Sequence, residues 1–167
     1  MSGSSPTIEN FPKPKFITGG CLCGSIKYRA DFPEDHDFLH QSRSCQCTQC
    51  RRGTGCLFYV AHTVPLGNFT YLTPTTTLKN FYATPGIQRG FCSNCGSFLY
   101  WRHESRDEIA MAVGTVDPEF LSDFGFALAN TAGDNVWCEN EIKGVTDGMI
   151  GKERGIKWAT DSKGVRM

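Results

Sequence analysis

GFCSNCGSFLYWRH, residues 90–103, decides the fold. Cys92 and Cys95 are followed by Gly96, whose conformational freedom permits the tight turn that brings both sulfurs to one ion. The run after the turn is aromatic-rich and reads as a strand. Such a knuckle offers two ligands and needs two more. The matching pair is Cys21 and Cys23 in GGCLCGS, residues 19–25, flanked by Gly20 and Gly24 where backbone must bend closely around a metal. The four cysteines would join an early strand to a mid-chain turn, and a closed all-sulfur site is structural in character. Apparent zinc binding energies in finger peptides are about 10–16 kcal/mol, comparable to a domain's net stability. Loss of that ion is expected to unfold much of the chain.

A second group lies in SCQCTQCRRGTG, residues 44–55, where Cys45, Cys47 and Cys50 occupy six positions. With nine cysteines in 167 residues, a disulfide framework is the competing explanation. The odd count and the C-x-C and C-x-x-C clustering count against it, because thiols two apart on a strand bridge poorly. Three thiols with one position left over follow the pattern of a catalytic zinc, in which water or substrate completes the coordination. A divalent ion on three thiolates keeps a net negative charge. It is therefore a weak activator of water and better suited to holding a soft ligand such as a substrate thiolate. Arg51 and Arg52 follow immediately, either as a clamp for a substrate carboxylate or as an ordinary solvated pair. Cys56 and Cys138 are the candidates for a fourth protein ligand. None of the four histidines has ligand spacing with another, and His40 is the best of them.

Composition bounds the rest. The length suits one domain with a real core. Lys+Arg and Asp+Glu are both 17, so the formal net charge is zero, and no basic footprint for nucleic acid or a membrane surface is present. No apolar stretch has the length of a membrane span, and residues 1–16 lack the pattern of a secretory signal. A cytoplasmic protein is expected, with the nucleus a further compartment. Aromatic residues at 12% and 18 glycines suit a turn-rich β protein.

Strand-like runs recur at 25–30, 37–45, 56–64, 68–73, 77–84, 88–92, 97–103 and 108–116, separated by turn residues. The pattern predicts small antiparallel sheets with few short helical turns. The expected helical turn is DPEFLSD, residues 117–123, with Asp117 as N-cap and Pro118 at the first position. Three segments are expected: an arm over 1–16, a zinc-binding domain over 17–147 and a loosely packed tail over 148–167. Exposed sheet edges leave a homodimer open.

GGCLCGSIKY, CQCTQCRRGTG, GFCSNCGSFLYWR and EIAMAVGTVDPEF, in that order, resemble the glutathione-dependent formaldehyde-activating enzymes and centromere protein V. The resemblance runs from Gly19 to Trp137. It implies a zinc-stapled β-tent with two zinc ions per chain. Cys21, Cys23, Cys92 and Cys95 would hold the structural ion, and Cys45, Cys47 and Cys50 a second ion associated with glutathione and its formaldehyde adduct. Trp137 would wall the pocket. This chain departs from the family at Asn135, where many relatives carry histidine, and in CENEIKGV, residues 138–145. The implied function is a zinc carbon–sulfur lyase or adduct-forming enzyme joining a thiol to an aldehyde. A related enzyme for another small electrophile and a non-catalytic module binding a protein partner are the alternatives.

Overall fold

The computed structural model describes residues 5–149 and 155–167, so parts of the expected arm and tail, residues 1–4 and 150–154, lie outside the described residues. The chain opens with β1 (Phe16–Gly20) and β2 (Lys27–Asp31), an antiparallel pair that alternates in burial, with Ile17, Tyr28 and Ala30 inward. Then come β3 (Ser42–Cys45), α1 (Thr48–Thr54), β4 (Tyr59–Pro65) and β5 (Phe69–Tyr71). The strands β6 (Leu78–Thr84), β7 (Ile87–Cys92), β8 (Phe98–His103) and β9 (Glu108–Ala112) form a meander. The helix α2 (Pro118–Ala129), β10 (Asp134–Val136) and β11 (Ile156–Lys157) complete the described elements. The protein is thus mainly β, as its sequence pattern predicts.

The strands form two sheets, a small one ordered β1-β2-β5 and an eight-stranded one ordered β11-β10-β3-β4-β9-β8-β7-β6. The core lies between them: Ile17 and Tyr28 of the small sheet meet Val64, Leu99 and Met111 of the large one, with Leu128 of α2. Tyr28 stacks on Phe69 at 4.8 Å, and its hydroxyl meets Thr115 Oγ1 at 2.9 Å, so the polar tip of a buried ring is satisfied. The sheets are not purely antiparallel, because β10 pairs in parallel with both β3 and β11.

Two local expectations are corrected. The helix beginning at Pro118 runs twelve residues rather than one turn. Asp117 stands at its N-cap but makes no side-chain cap; its carboxylate instead accepts from Thr18 Oγ1, and its N–H donates to Thr18 O at 2.9 Å. That exchange ties the helix to β1. Within the described part of the tail, the Ile156 N–H donates to Gly133 O and the Trp158 N–H to Asn135 O. At the other end, Phe11 of the arm packs against Phe126 at 5.3 Å. No helix of the described residues is long and apolar enough to cross a membrane.

Candidate thiol site and metal centres

Cys21, Cys23, Cys92 and Cys95 converge at the seam between the sheets. The first two follow β1 of the small sheet; Cys92 ends β7 and Cys95 follows it in the large sheet. All four sulfurs lie within 4.8 Å of one another. Cys21 Sγ is 3.5 Å from Cys23 Sγ, and Cys23 Sγ is 3.8 Å from Cys92 Sγ. Two sulfurs on a tetrahedral zinc at about 2.3 Å stand roughly 3.8 Å apart, so the set fits such an ion. Gly24 and Gly96, at φ 74 and 76, supply the left-handed turns that fold each pair back on itself. The Ser97 hydroxyl beside Cys95 pulls that thiol down to about 6, toward the thiolate form a metal requires.

Cys45, Cys47 and Cys50 form the second group, again with sulfurs within 4.8 Å. Here a helix, rather than a turn, gathers the thiols. Cys45 ends β3, Cys47 is the N-cap of α1 and accepts from Cys50 N–H at 3.3 Å, and Cys50 sits one turn in. The helix closes at Gly55, left-handed at φ 71, whose N–H donates to Arg51 O. In the thiol cluster Cys45 and Cys50 donate to Cys47, which pushes Cys47 far down while Cys45 and Cys50 rise. One negative charge forms readily there, and further ionisation needs a cation. Among the described residues no fourth His, Cys, Asp or Glu joins the group. Cys56 is exposed, and buried Cys138 instead donates to Asn135 O at 3.3 Å.

The triplet opens onto a cavity of about 700 Å³, within the range of small-molecule sites. Tyr59 and Ala61 of β4 and Ala110 of β9 form its floor. Trp101 and Trp137 wall it, and Asp161, Ser162 and Lys163 of the tail line its rim. Tyr59 is anchored by donating to Ala110 O at 2.8 Å, and burial keeps its hydroxyl protonated. Trp137 is held in the left-handed region at φ 61, ψ 40, an uncommon conformation for a bulky residue.

A match to the family model described as glutathione-dependent formaldehyde-activating enzyme covers residues 16–139, most of the chain. The chain belongs to this family. A relative from Emericella nidulans, named "Putative glutathione-dependent formaldehyde-activating enzyme", is 29% identical over 92 residues, 55% of this chain and 46% of its own length. Relatives of the same name from Aspergillus flavus and Podospora anserina are 24% and 25% identical, over 89% and 72% of this chain and 69% and 59% of their own. The chain therefore spans between about half and two thirds of these relatives' lengths. A crystal structure of a Rhodobacter sphaeroides protein superposes with a TM-score of 0.49 at 24% identity, over 63% of this chain and 94% of that one.

Within this family frame, the positions singled out in the sequence fall as follows. Neither Arg51 nor Arg52 lines the cavity. Arg51 donates to Leu57 O and Asn140 O, each at 2.7 Å, and to Gln46 Oε1 at 3.2 Å, bracing α1 against the 138–140 turn. Arg52 is exposed. Asn135, the departure from the histidine of many relatives, is wholly buried beneath the wall rather than in it. His40 pairs with Asp37 at the surface, away from both thiol groups. The sequence reading passed over Arg89, which is buried and lines the cavity. A signal was present: Arg89 is two residues from Ile87 on β7, which puts a charge on the buried face.

Proposed function

We propose that this chain is a zinc-dependent carbon–sulfur lyase or adduct-forming enzyme that holds a thiol such as glutathione and joins it to an aldehyde such as formaldehyde, in the cytoplasm. One observation carries the reading: three thiols, and no fourth ligand among the described residues, face a cavity large enough for a tripeptide. Cys45, Cys47 and Cys50 would hold a zinc with an exchangeable fourth position, and Cys21, Cys23, Cys92 and Cys95 a closed structural zinc. The bound ion supplies positive charge that keeps an incoming thiol in its thiolate form. Trp101 and Trp137 wall the cavity around that thiol. Cavity residues of both signs, with Arg43, Arg89 and Lys163 against Glu108, Asp134 and Asp161, suit a zwitterion carrying carboxylates and an ammonium. In the reaction the thiol sulfur forms a bond to the aldehyde carbon, and the carbonyl oxygen takes up one proton. The reverse direction breaks that same bond.

A second reading, the same chemistry on another small electrophile, is favoured by the rim. Asp161, Ser162 and Lys163 lie beyond residue 139, where the family match ends, so part of the cavity mouth is built outside the matched segment. The edge strand β6, with Phe81 and Tyr82 exposed, is where a homodimer would form by strand addition. Exchange NMR of glutathione mixed with formaldehyde tests the first reading. Zinc-loaded protein should speed adduct formation and breakdown above the uncatalysed rate, and Cys47→Ser should not. Acceleration with a different aldehyde alone would favour the second reading. Absence of any thiol binding by the loaded protein would end both.

A further inference from the structure

The cavity floor is one face of the large sheet, with Tyr59, Ala61 and Thr63 of β4, Glu108 and Ala110 of β9 and Trp101 of β8. The opposite face, with Val64, Ile109 and Met111, packs into the core. Where the second face of a sheet meets water, alternation puts polar side chains on it. Arg43, Thr63 and Glu108 follow that rule, and they stand further from Cys45 along β3, β4 and β9. Beside the thiols the face is apolar instead. Tyr59, Ala61, Ala110 and Trp101 pack in one cluster with Cys45, Cys47 and Cys50. Ala110 and Trp101 are cross-strand partners, and both are half-buried. A methyl beside a large indole leaves a recess in the floor next to the thiol cluster. Proteins fill apolar space closely, so a recess left open among apolar side chains suits an apolar ligand.

We propose that this recess seats the substituent of the aldehyde, so that the electrophile joined to the thiol carries an apolar chain rather than a single carbon. The inference rests on the thiol-holding reading and names the electrophile class of its second form. Formaldehyde bears only hydrogens on its carbonyl carbon and stands hydrated in water, so it covers none of the floor. Glutathione is charged or amidic along its length and does not cover it either. An alkyl chain lying over Ala110 against the Trp101 indole takes both surfaces out of water, and each buried methylene tightens binding about fourfold. In the reaction the thiol sulfur bonds to the aldehyde carbon, the carbonyl π bond opens, and the thiol proton ends on the oxygen. Nothing is oxidised or reduced, and no further reactant is needed. The substituent stays on that carbon throughout, so the recess holds it in the aldehyde and in the adduct alike.

Titration calorimetry on the zinc-loaded full chain tests the recess with S-methyl-, S-butyl- and S-hexylglutathione, which keep the carbon–sulfur bond and chain of the adduct but cannot react. Affinity should rise about thirtyfold or more from methyl to hexyl. NMR should place the chain, with the Ala110 methyl and the Trp101 indole shifted most. Ala110→Leu fills the recess and should cut the hexyl-to-methyl ratio about tenfold. A flat series in wild type overturns the proposal, and so does a rising series whose shifts fall elsewhere, whether or not Ala110→Leu folds. Exchange NMR then compares formaldehyde, butanal and hexanal with glutathione as the thiol. KM should fall along that series at similar kcat, as expected for a group bound equally in ground and transition states. If formaldehyde exchange is accelerated and hexanal exchange is not, the thiol reading stands and the substituent site fails. If the S-alkyl series rises but no aldehyde is accelerated, the aldehyde assignment is overturned and only a binding recess remains. If no probe binds and no aldehyde is accelerated, both fail.

Discussion

Ser44 donates its hydroxyl to Asn135 Oδ1 at 2.6 Å, a buried bond that joins β3 to β10. One residue further along, the paired strands bring Cys45 opposite Val136, and Trp137 follows. The bond therefore sets the tryptophan wall against the thiol cluster from beneath. Asn135 also donates to Thr131 O and Gly133 O at 3.0 and 3.2 Å, so every polar atom of its side chain is used. Asn135→Ala takes the acceptor from the buried Ser44 hydroxyl and removes one donor each from Thr131 O and Gly133 O. The expected loss is about 2–4 kcal/mol in urea unfolding. Ser44→Ala combined with Asn135→Ala should cost less than the sum of the two single changes. Strict additivity would mean that the bond contributes nothing to the fold.

The two thiol groups should separate by their response to mutation. Fully loaded protein is expected to hold two zinc ions, one in each group, with the three-thiol ion removed first by a mild chelator. Cys92→Ser removes a ligand from the group that joins the two sheets, and insoluble or unfolded protein is expected. Cys47→Ser should retain one zinc per chain and a folded circular dichroism spectrum. One zinc in fully loaded wild-type protein would contradict the assignment, as would equal damage from both substitutions.

How far this arrangement was legible depends on the range of the interactions. Cys92, Cys95 and Gly96 form a knuckle through spacing and one left-handed turn, and Cys21, Cys23 and Gly24 repeat the device, so both pairs could be read locally. The triplet was equally local. What its spacing did not reveal is that Cys47 caps a helix, which swings Arg51 and Arg52 away from the cavity. Arg89 meets Gln49 across forty residues, a contact fixed by the register of β7 and invisible in any short window. Strand β11 has two residues and pairs in parallel with β10, too short for any period to show. Cys138, a sequence candidate for the fourth ligand, donates its thiol to Asn135 O and is not grouped with the triplet, a placement that no short window shows.

Acid should weaken the fold through a histidine pair that sequence spacing concealed. His36 Nε2 and His62 Nε2 stand 2.8 Å apart, and His62 is fully buried. Burial, then the neighbouring His36, pushes His62 down to about 3, and burial also lowers His36. The folded protein keeps His62 neutral, whereas the unfolded chain takes up a proton near pH 6.5. Its contribution is therefore fully present above about pH 6.5 and is lost as pH falls toward 3, at up to about 1.4 kcal/mol per pH unit. Urea midpoints compared between pH 7.5 and pH 5 should fall further for wild type than for His62→Gln. Metal loss in acid affects both proteins alike, so the difference reports the histidine. Identical slopes would show that His62 is not the group being titrated.

The tail supplies the last test, because it holds Trp137 in place. The Trp137 N–H donates to Thr160 O at 2.8 Å, and the Cys138 N–H donates to Trp158 O at 3.0 Å. Those bonds stabilise a left-handed backbone at Trp137 that by itself costs on the order of 1–3 kcal/mol. Ending the chain at Gly155 removes both acceptors, the β11 edge and the Asp161–Lys163 rim together. Both zinc groups should survive, since none of their seven cysteines lies beyond Cys95. Glutathione affinity should drop by about tenfold as the wall loosens. Trp137→Gly in the shortened chain should regain stability by relieving the left-handed residue, yet recover no affinity, because the indole itself is the wall. Undiminished glutathione binding after truncation would show that the tail covers the site without shaping it.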